Sequence, residues 1–410
     1  MICFLTIMEF VSFKKSVVYP TPNQFVVKHP ITPLREQSPI EFIIENNGHS
    51  FIDLRKTRLH IKCKLVKPNG DPVSATDKIT LVNMPLQSLW RHVEVYFQNK
   101  LVSSSDNSYP YKAMLDVLCN YSEDCKESQL QPQLYYKDTC GYMDATDTAI
   151  GGNGGLTQRW NFTKDGKSVD MEGPLYCDIL QQKHLFLNNI PIRIKLTPAS
   201  NAFALMGEGR VVIDEALLWV CHMDLSPDIY TDIAKKLQKD TVKYLYVKSE
   251  FLCHSIHAGS TSLRLANLFQ GRIPTQLVVV FVDTESFNGH HKKNPFNFQH
   301  KFLNYLDVSV NGRSLPRERP LQPDYIKQHY SDAFTLMFGS KWMKNDGNYI
   351  SRDDFAKGYT IYILDLGADS VGNVNLEARF AIPLDKSTNM LIYASFPHVM
   401  EIDETRNVYL

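Results

Sequence analysis

Gly151-Gly152-Asn153-Gly154-Gly155 is the kind of run whose backbone amides can cradle a phosphate. It lacks the Gly-Lys-Ser/Thr ending of a P-loop. No apolar strand leads into it and no helix is expected to leave it, so a plain loop is predicted. His254 and His257 stand three apart beside Cys253, a donor set that could suit a transition metal. On a strand that spacing puts the two rings on opposite faces, and shared ligation would need a turn. His290-His291 is followed by Lys292-Lys293, whose charge opposes a cation, and the sequence holds no His-x-His pair. Asp170-Met171-Glu172 and Arg352-Asp353-Asp354 are expected as solvated or turn-capping acids in loops, not as paired catalytic carboxylates. There is no Gly-x-Ser-x-Gly elbow. None of the eight cysteines (Cys3, Cys63, Cys119, Cys125, Cys140, Cys177, Cys221, Cys253) has a cationic setting that would make it a nucleophile. The sequence therefore predicts no catalytic, cofactor-binding or metal-ligating residue.

The composition narrows the function classes further. The 410 residues exceed what one core usually serves, which predicts two domains. Lys+Arg and Asp+Glu balance at 44 each, which argues against a coat for nucleic acid or for an anionic membrane. Neutrality also leaves no long-range repulsion between copies. Two small basic groups, Arg55–Arg58 and the stretches Lys28–Pro30 and Pro33–Glu36, are expected as solvated edges; the other reading is a local surface facing a packaged polyanion. The scattered cysteines, three of them beside apolar runs, suit a reducing compartment, and the sequons at Asn120 and Asn161 are then chance matches. The opening MICFLTIMEFVSF is too short to span a membrane, and Lys14 and Lys15 follow it instead of preceding it. A signal peptide is not expected there, Met8 is an alternative start, and a soluble protein is predicted.

The elements that must position these residues are mostly strands. IEFII (40–44), RLHIKCKLV (58–66), HVEVYF (92–97), IRIKL (192–196), VVIDEALLWV (211–220), QLVVVFV (276–282), YLDVSV (305–310), YTIYILDL (359–366), EARFAI (377–382) and MLIYASF (390–396) have the period and residue types of strands. Three segments read as helical: 110–118, 323–334 and 226–240. In the last, Ser226 is the expected N-cap, Pro227 the first helical residue, and Ile229, Ile233 and Leu237 one apolar face. The hairpin VEVYFQNKLV (93–102) recurs 213 positions later as LDVSVNGRSL (306–315), with Glu94 falling on Asp307, Lys100 on Arg313 and Pro110 on Pro323. One hairpin can recur by chance. Here the order of strands, hairpin, Pro-led helix and loop recurs too, which predicts two copies of one unit.

The expected fold is all-β, a double jelly roll of two tandem eight-stranded β-sandwiches with a few short helices. The expected division is an N-terminal arm (1–37), a first jelly roll (38–225), a helical linker (226–240) and a second jelly roll (241–410). Residues 144–155 are expected to be exposed and mobile. The loops 288–300 and 339–354 carry Phe296, Phe298, Trp342 and Tyr349, expected to anchor each loop to its own domain.

Long ordered runs carry a family resemblance. SPIEFIIENNGHSFIDLRKTRLHIKCKLVKPNG (38–70), YPYKAMLDVLCNYSEDCKESQLQPQLYYKDT (109–139), KNPFNFQHKFLNYLDVSVNG (293–312), DGNYISRDDFAKGYTIYILDL (346–366) and MEIDETRNV (400–408) resemble the major capsid protein of Polinton (Maverick) elements and adintoviruses. The resemblance runs from about Ile31 to the end; residues 1–20 depart from it. It implies a hexon-like double jelly roll whose homotrimer is a pseudo-hexameric capsomer of an icosahedral shell around double-stranded DNA. It implies no catalytic residue and no cofactor. The implied partners are further copies of the chain, penton or minor capsid proteins, the packaged DNA only indirectly, and an internal membrane in some shells; the implied location is the virion. The loops 144–155, 288–300 and 339–354 would then face outward or meet other chains, and the arm would tether inward. The alternative is a carbohydrate-binding or hydrolytic β-sandwich protein, which would need paired carboxylates beside a row of exposed aromatics. A third reading, a minor vertex protein, would hold one jelly roll.

Overall fold

A computed structural model describes residues 24–46, 48–148, 151–339, 347–367 and 371–410. Apart from a two-residue pair, Thr80–Leu81 with Leu205–Met206, the strands of the first half are β1 (Gln24–Lys28), β2 (Ile40–Ile44), β3 (Ser50–Val66), β4 (Trp90–Phe97), β5 (Lys100–Ser104), β6 (Ser168–Pro174), β7 (Ile192–Pro198) and β8 (Arg210–Asp224). They form two four-stranded sheets ordered β1-β8-β3-β6 and β2-β7-β4-β5. The second half has β9 (Val242–Ile256), β10 (Ser262–Leu265), β11 (Gln276–Asp283), β12 (Leu303–Val310), β13 (Arg313–Leu315), β14 (Tyr362–Asp365), β15 (Val374–Phe380) and β16 (Thr388–Ile402). Its sheets run β9-β16-β11-β14 and β10-β15-β12-β13, with Val408–Tyr409 added beside β16. Adding eight to each strand number of the first half reproduces the second. The repeat read from one hairpin is thus a repeat of the whole topology, and each half is a jelly roll.

The hairpins β4–β5 and β12–β13 occupy the same place in the two halves. Val93, Val95 and Phe97 of the first, and Leu306, Val308 and Val310 of the second, point into their cores. Each hairpin turns through two residues, and both turns begin at positive φ, 55° at Gln98 and 51° at Asn311. Strand β11 is buried along its whole apolar run because both of its faces are covered. Phe281 packs inward on Phe380, 5.6 Å between ring centroids, and Gln276 on the outer face lines a groove with Asp116 and Tyr121 of the first half. Each such side chain contributes roughly 1.5–3 kcal/mol.

Helix α1 (Tyr109–Asn120) matches the first predicted helix and buries Met114, Leu115 and Leu118. Further on, α2 spans Gly154–Thr163 and α3 spans Pro227–Leu237; α3 lies between the two strand sets and buries Ile229, Ile233 and Leu237 as expected. Ser226 holds the N-cap position of α3 through its carbonyl, which accepts from Tyr230 N at 3.1 Å, and its hydroxyl makes no capping bond.

Six expectations are corrected. Strand β1 lies inside the stretch expected as an arm and pairs with β8 from Gln24↔His222 to Lys28↔Leu218. An edge strand has one neighbour, so five residues with little alternation suffice. Of the helix expected over 323–334, only α4 (Ser331–Leu336) forms. Asp324 Oδ1 accepts from Lys327 N at 2.9 Å, and Asp324 and His329 exchange backbone bonds, so a local turn outcompetes the helix. A helix, α2, does leave the glycine run, and Thr148 and Asn153 of the supposedly exposed loop are buried. Asp170–Glu172 lie on β6, not in a loop. Finally, the 15-residue strand β9 escapes a period-two reading because Lys248-Ser249-Glu250 interrupts its apolar residues. The expected arm residues 1–23 and Trp342 lie outside the described residues.

Gly312 has φ 85° and open space where a Cβ would sit. Gly312→Val should therefore act through backbone conformation alone and cost about 1–2 kcal/mol, measured by urea unfolding.

Candidate functional site

The residues that could do chemistry are occupied by structure. Among the described residues no group of three or more His, Cys, Asp or Glu is placed to hold a metal ion. His254 lies on β9, its Nε2 buried without a partner, and burial lowers its pKa. Burial pushes the Cys253 thiol up to about 11, far from a thiolate at neutral pH. Cys63 and Cys177 are pushed up to about 12 for the same reason and pack as small hydrophobes. Lys293 pairs with Asp144 at 3.1 Å. Asp354 belongs to a capping box with Ser351 at the start of helix α5 (Arg352–Ala356) and accepts from Lys137 at 2.8 Å. Burial alone would raise the Asp354 carboxyl, but the bonds from Lys137 and Ser351 outweigh it and lower the pKa. Glu172 faces His60 at 3.6 Å, Lys56 faces Asp53 at 3.2 Å, and Glu36 bonds Arg210 at 2.9 Å.

The glycine run cannot cradle a phosphate, because the start of α2 is already filled. Asn153 Oδ1 accepts from Leu156 N and Thr139 N at 3.3 and 3.0 Å, and Thr139 Oγ1 accepts from Gly154 N at 3.0 Å. A Cβ on Gly155 would stand 2.6 Å from the Tyr136 carbonyl oxygen and 2.5 Å from that of Lys137, which shows how closely two chain segments meet there.

The built site in this molecule is the junction between the jelly rolls. At its centre Asp138 is 1% exposed and Arg159 is fully buried. Asp138 Oδ1 accepts from Arg159 Nη2 at 2.6 Å and from Asn153 Nδ2 at 3.0 Å. Its other oxygen accepts from Asn294 Nδ2 at 3.0 Å, and its carbonyl from the Tyr359 hydroxyl at 2.7 Å. Arg159 completes its bonding with the carbonyls of Leu81 and Tyr136, at 3.0 and 2.8 Å. Asn294 and Tyr359 belong to the second half, so one carboxylate holds both halves.

Around this centre lies an aromatic cluster. Tyr111 of α1 stacks on Phe287 (5.5 Å) and Phe251 (6.2 Å) and meets Phe296 edge-on (5.8 Å). A second buried charge pair, Lys112 with Asp178, extends through Ser249 (N to Oδ2, 2.8 Å) to Tyr393. The C-terminal segment closes the edge: Arg406 bonds Asn188 O at 3.0 Å, and Lys100 and Gln98 of the first hairpin bond the carbonyls of Val408 and Arg406, each at 2.9 Å. Phe296, Phe298 and Tyr349 do anchor their loops, but Phe296 and Tyr349 reach the other jelly roll, Tyr349 through Glu127 at 2.9 Å. An open groove of about 630 Å³ along the junction is lined by Tyr121, Leu245, Val247 and Tyr393 and by the polar Asp116, Asp178, Lys183 and His184. Asp138 lies in the stretch 109–139 quoted for the family resemblance, but nothing in the sequence marks it as the partner of Arg159, 21 residues on.

Three outcomes are expected. Arg159→Met should cost about 3–5 kcal/mol in denaturant unfolding, because it leaves a buried carboxylate without its cation. Deleting 146–154 removes Asn153 from this network and should leave the protein insoluble. His300, stacked on Tyr325 and accepting from Phe302 N at 2.9 Å, has its pKa lowered to about 4 by burial and the Lys301 charge. The unfolded chain then binds a proton first, so this stability is complete above pH 6.5 and lost towards pH 4. The loss amounts to about 3 kcal/mol. Urea midpoints across that range should fall, and His300→Phe should flatten the slope.

No family model matches the chain. Over 400 residues it is 21% identical to an uncharacterized protein of Caenorhabditis elegans, covering 90% of this chain and 93% of that one. Among solved structures, a chain of the Sputnik virophage superposes with a TM-score of 0.66 at 11% identity, covering 97% of this chain and 90% of that chain. The Faustovirus major capsid protein gives 0.60 at 9% identity, with 95% and 91% covered. The mavirus major capsid protein gives 0.53 at 12% identity, with 97% and 92% covered. Likeness at such low identity speaks to the fold, and it agrees with the strand order found in both halves: this chain has the double jelly-roll fold in which those viral capsid chains are built.

Proposed function

We propose that this protein is the major building block of an icosahedral shell. Three copies form a pseudo-hexagonal capsomer, and capsomers tile the shell around double-stranded DNA. The observation that carries the reading is the repeated strand order in two jelly rolls locked side by side by buried bonds. Such a chain presents two similar sides to its surroundings, so three chains present six, and one protein can fill a hexagonal lattice. The likeness to chains described as viral major capsid proteins and the Polinton-type resemblance of the sequence support it. The role is structural, since the acids, cations and imidazoles described above cap, pair and pack. The units of assembly are the two jelly rolls, about 38–225 with β1 added and 241–410, joined through 226–240. Partners are further copies, a penton or minor capsid protein at the vertices, the packaged DNA only indirectly, and an internal membrane where the shell has one; the site of action is the virion.

Size-exclusion chromatography with light scattering, followed by negative-stain imaging, tests this. The expected species has about three times the 47.0 kDa chain mass and a hexagonal outline. A stable monomer that builds neither capsomers nor shells would overturn the reading.

A further inference from the structure

An open hollow of about 480 Å³ is lined by Gly141 of the first jelly roll and by Asn297, His300, Phe302, Lys357 and Ile382 of the second. Ligand sites commonly measure about 300 to 1,000 Å³, so one small organic molecule fits. Backbone bonds hold the walls in place. Gly141 N donates to the Lys357 carbonyl at 2.8 Å, and Ala381 N donates to the Phe302 carbonyl at 2.9 Å. Gly358, also in the wall, has φ 128°, and a Cβ there would stand 3.1 Å from Asn297 Oδ1. Glycine at that position leaves the amide its room.

A strained turn makes one side of the hollow apolar. Lys301 and Phe302 both have left-handed backbone, φ 48° and 51°, a conformation that costs a bulky residue energy. Lys301 is buried and pairs with Asp283, whereas Phe302 is 40% exposed and Ile382 beside it 43% exposed. The other side is polar and carries no net charge. Lys301 and Lys357 stand against Asp283 and Asp385, the last 3.8 Å from Lys301, so two cations meet two carboxylates. The side chains of Asn297, Gln299 and Lys357 bond to no described residue. His300 Nδ1 accepts from Phe302 N at 2.9 Å, which puts the proton of the neutral ring on Nε2, a donor with no partner among the described residues. Burial and the Lys301 charge keep that ring neutral.

These features select the guest. A phosphate or a cation finds no unanswered charge here. A wholly apolar molecule would strand the two amides away from water at a cost. A molecule with an apolar C–H face and several hydroxyls satisfies both sides at once. We propose that the hollow binds one neutral saccharide unit, with its C–H face on the Phe302 ring and Ile382 and its hydroxyls on Asn297, Gln299 and the His300 Nε2–H. A free sugar and the end unit of a glycan share this chemistry. The site is complete within one chain, so the inference is independent of the shell reading above.

The test uses the full chain and saturation-transfer NMR with the methyl glycosides of glucose, galactose and N-acetylglucosamine. At least one should bind with a dissociation constant of about 1 mM, the range a ligand of that size supplies. Its ring C–H protons should receive the strongest transfer. Phe302→Asn removes the ring but keeps a residue that accepts left-handed backbone. Asn297→Ala combined with Gln299→Ala removes amides that bond nothing in the fold. Each variant, shown to be folded by thermal melting, should weaken binding about tenfold. Retention on an array of neutral glycans would make the natural guest a glycan end unit, and binding of the free glycosides alone would make it a free sugar. No transfer to any of the three glycosides overturns the inference, as does binding that survives both variants undiminished. Binding of N-acetylneuraminic acid or heparin in place of the neutral sugars, lost in Lys357→Met, would make the hollow an anion site and also overturn it.

Discussion

A carboxylate taken out of water must have its lone pairs filled, and the architecture of this chain depends on how Asp138 meets that demand. An unpaired charge at such a depth costs several kcal/mol, so Arg159, Asn153 and Asn294 have to arrive together. Two of these come from the first jelly roll and one from the second. The half-satisfied state is worse than either extreme, which makes the two sandwiches assemble in one relative position and not in a family of them. The surrounding apolar contacts, with Tyr111 at their centre, supply area; the buried polar bonds supply geometry.

The same junction also handles a hazard of sheets. Strand β9 is an edge, fifteen residues long, with backbone groups that could template association without limit. The first jelly roll closes part of that edge: Asp178 accepts from Ser249 N, and Gln182 donates to the Leu245 carbonyl at 3.0 Å. The C-terminal segment adds Val408–Tyr409 beside β16 and is held by Gln98 and Lys100 of the first hairpin. A chain that closes its own edges in this way can associate through chosen faces. Such closure matters the more because a formal net charge of zero sets up no long-range repulsion between copies.

What was legible in the sequence was whatever the chain repeats at short range. Alternation along β4 and β12, the two-residue turns, and the Pro-led start of α3 are local consequences of residue type, and there the strands, the hairpins and the helix at Pro227–Leu237 are legible. The all-β class and the doubling of the unit followed from them. The misreadings share one cause. Residues 323–330 have helical spacing yet turn on Asp324, Asp144, Thr148 and Asn153 lie in a polar stretch yet are packed, and β9 is broken by Lys248–Glu250 yet continuous, because tertiary partners outweigh local preference.

The sequence by itself determined that this protein is a repeated β structure, since period and turn residues are properties of neighbours. Only the tertiary structure decided which polar residues matter. Asp138, Arg159 and Asn294 mean nothing until the second sandwich is laid against the first. Desolvation and docking depend on what lies across space, and a linear pattern does not encode which surfaces will face each other.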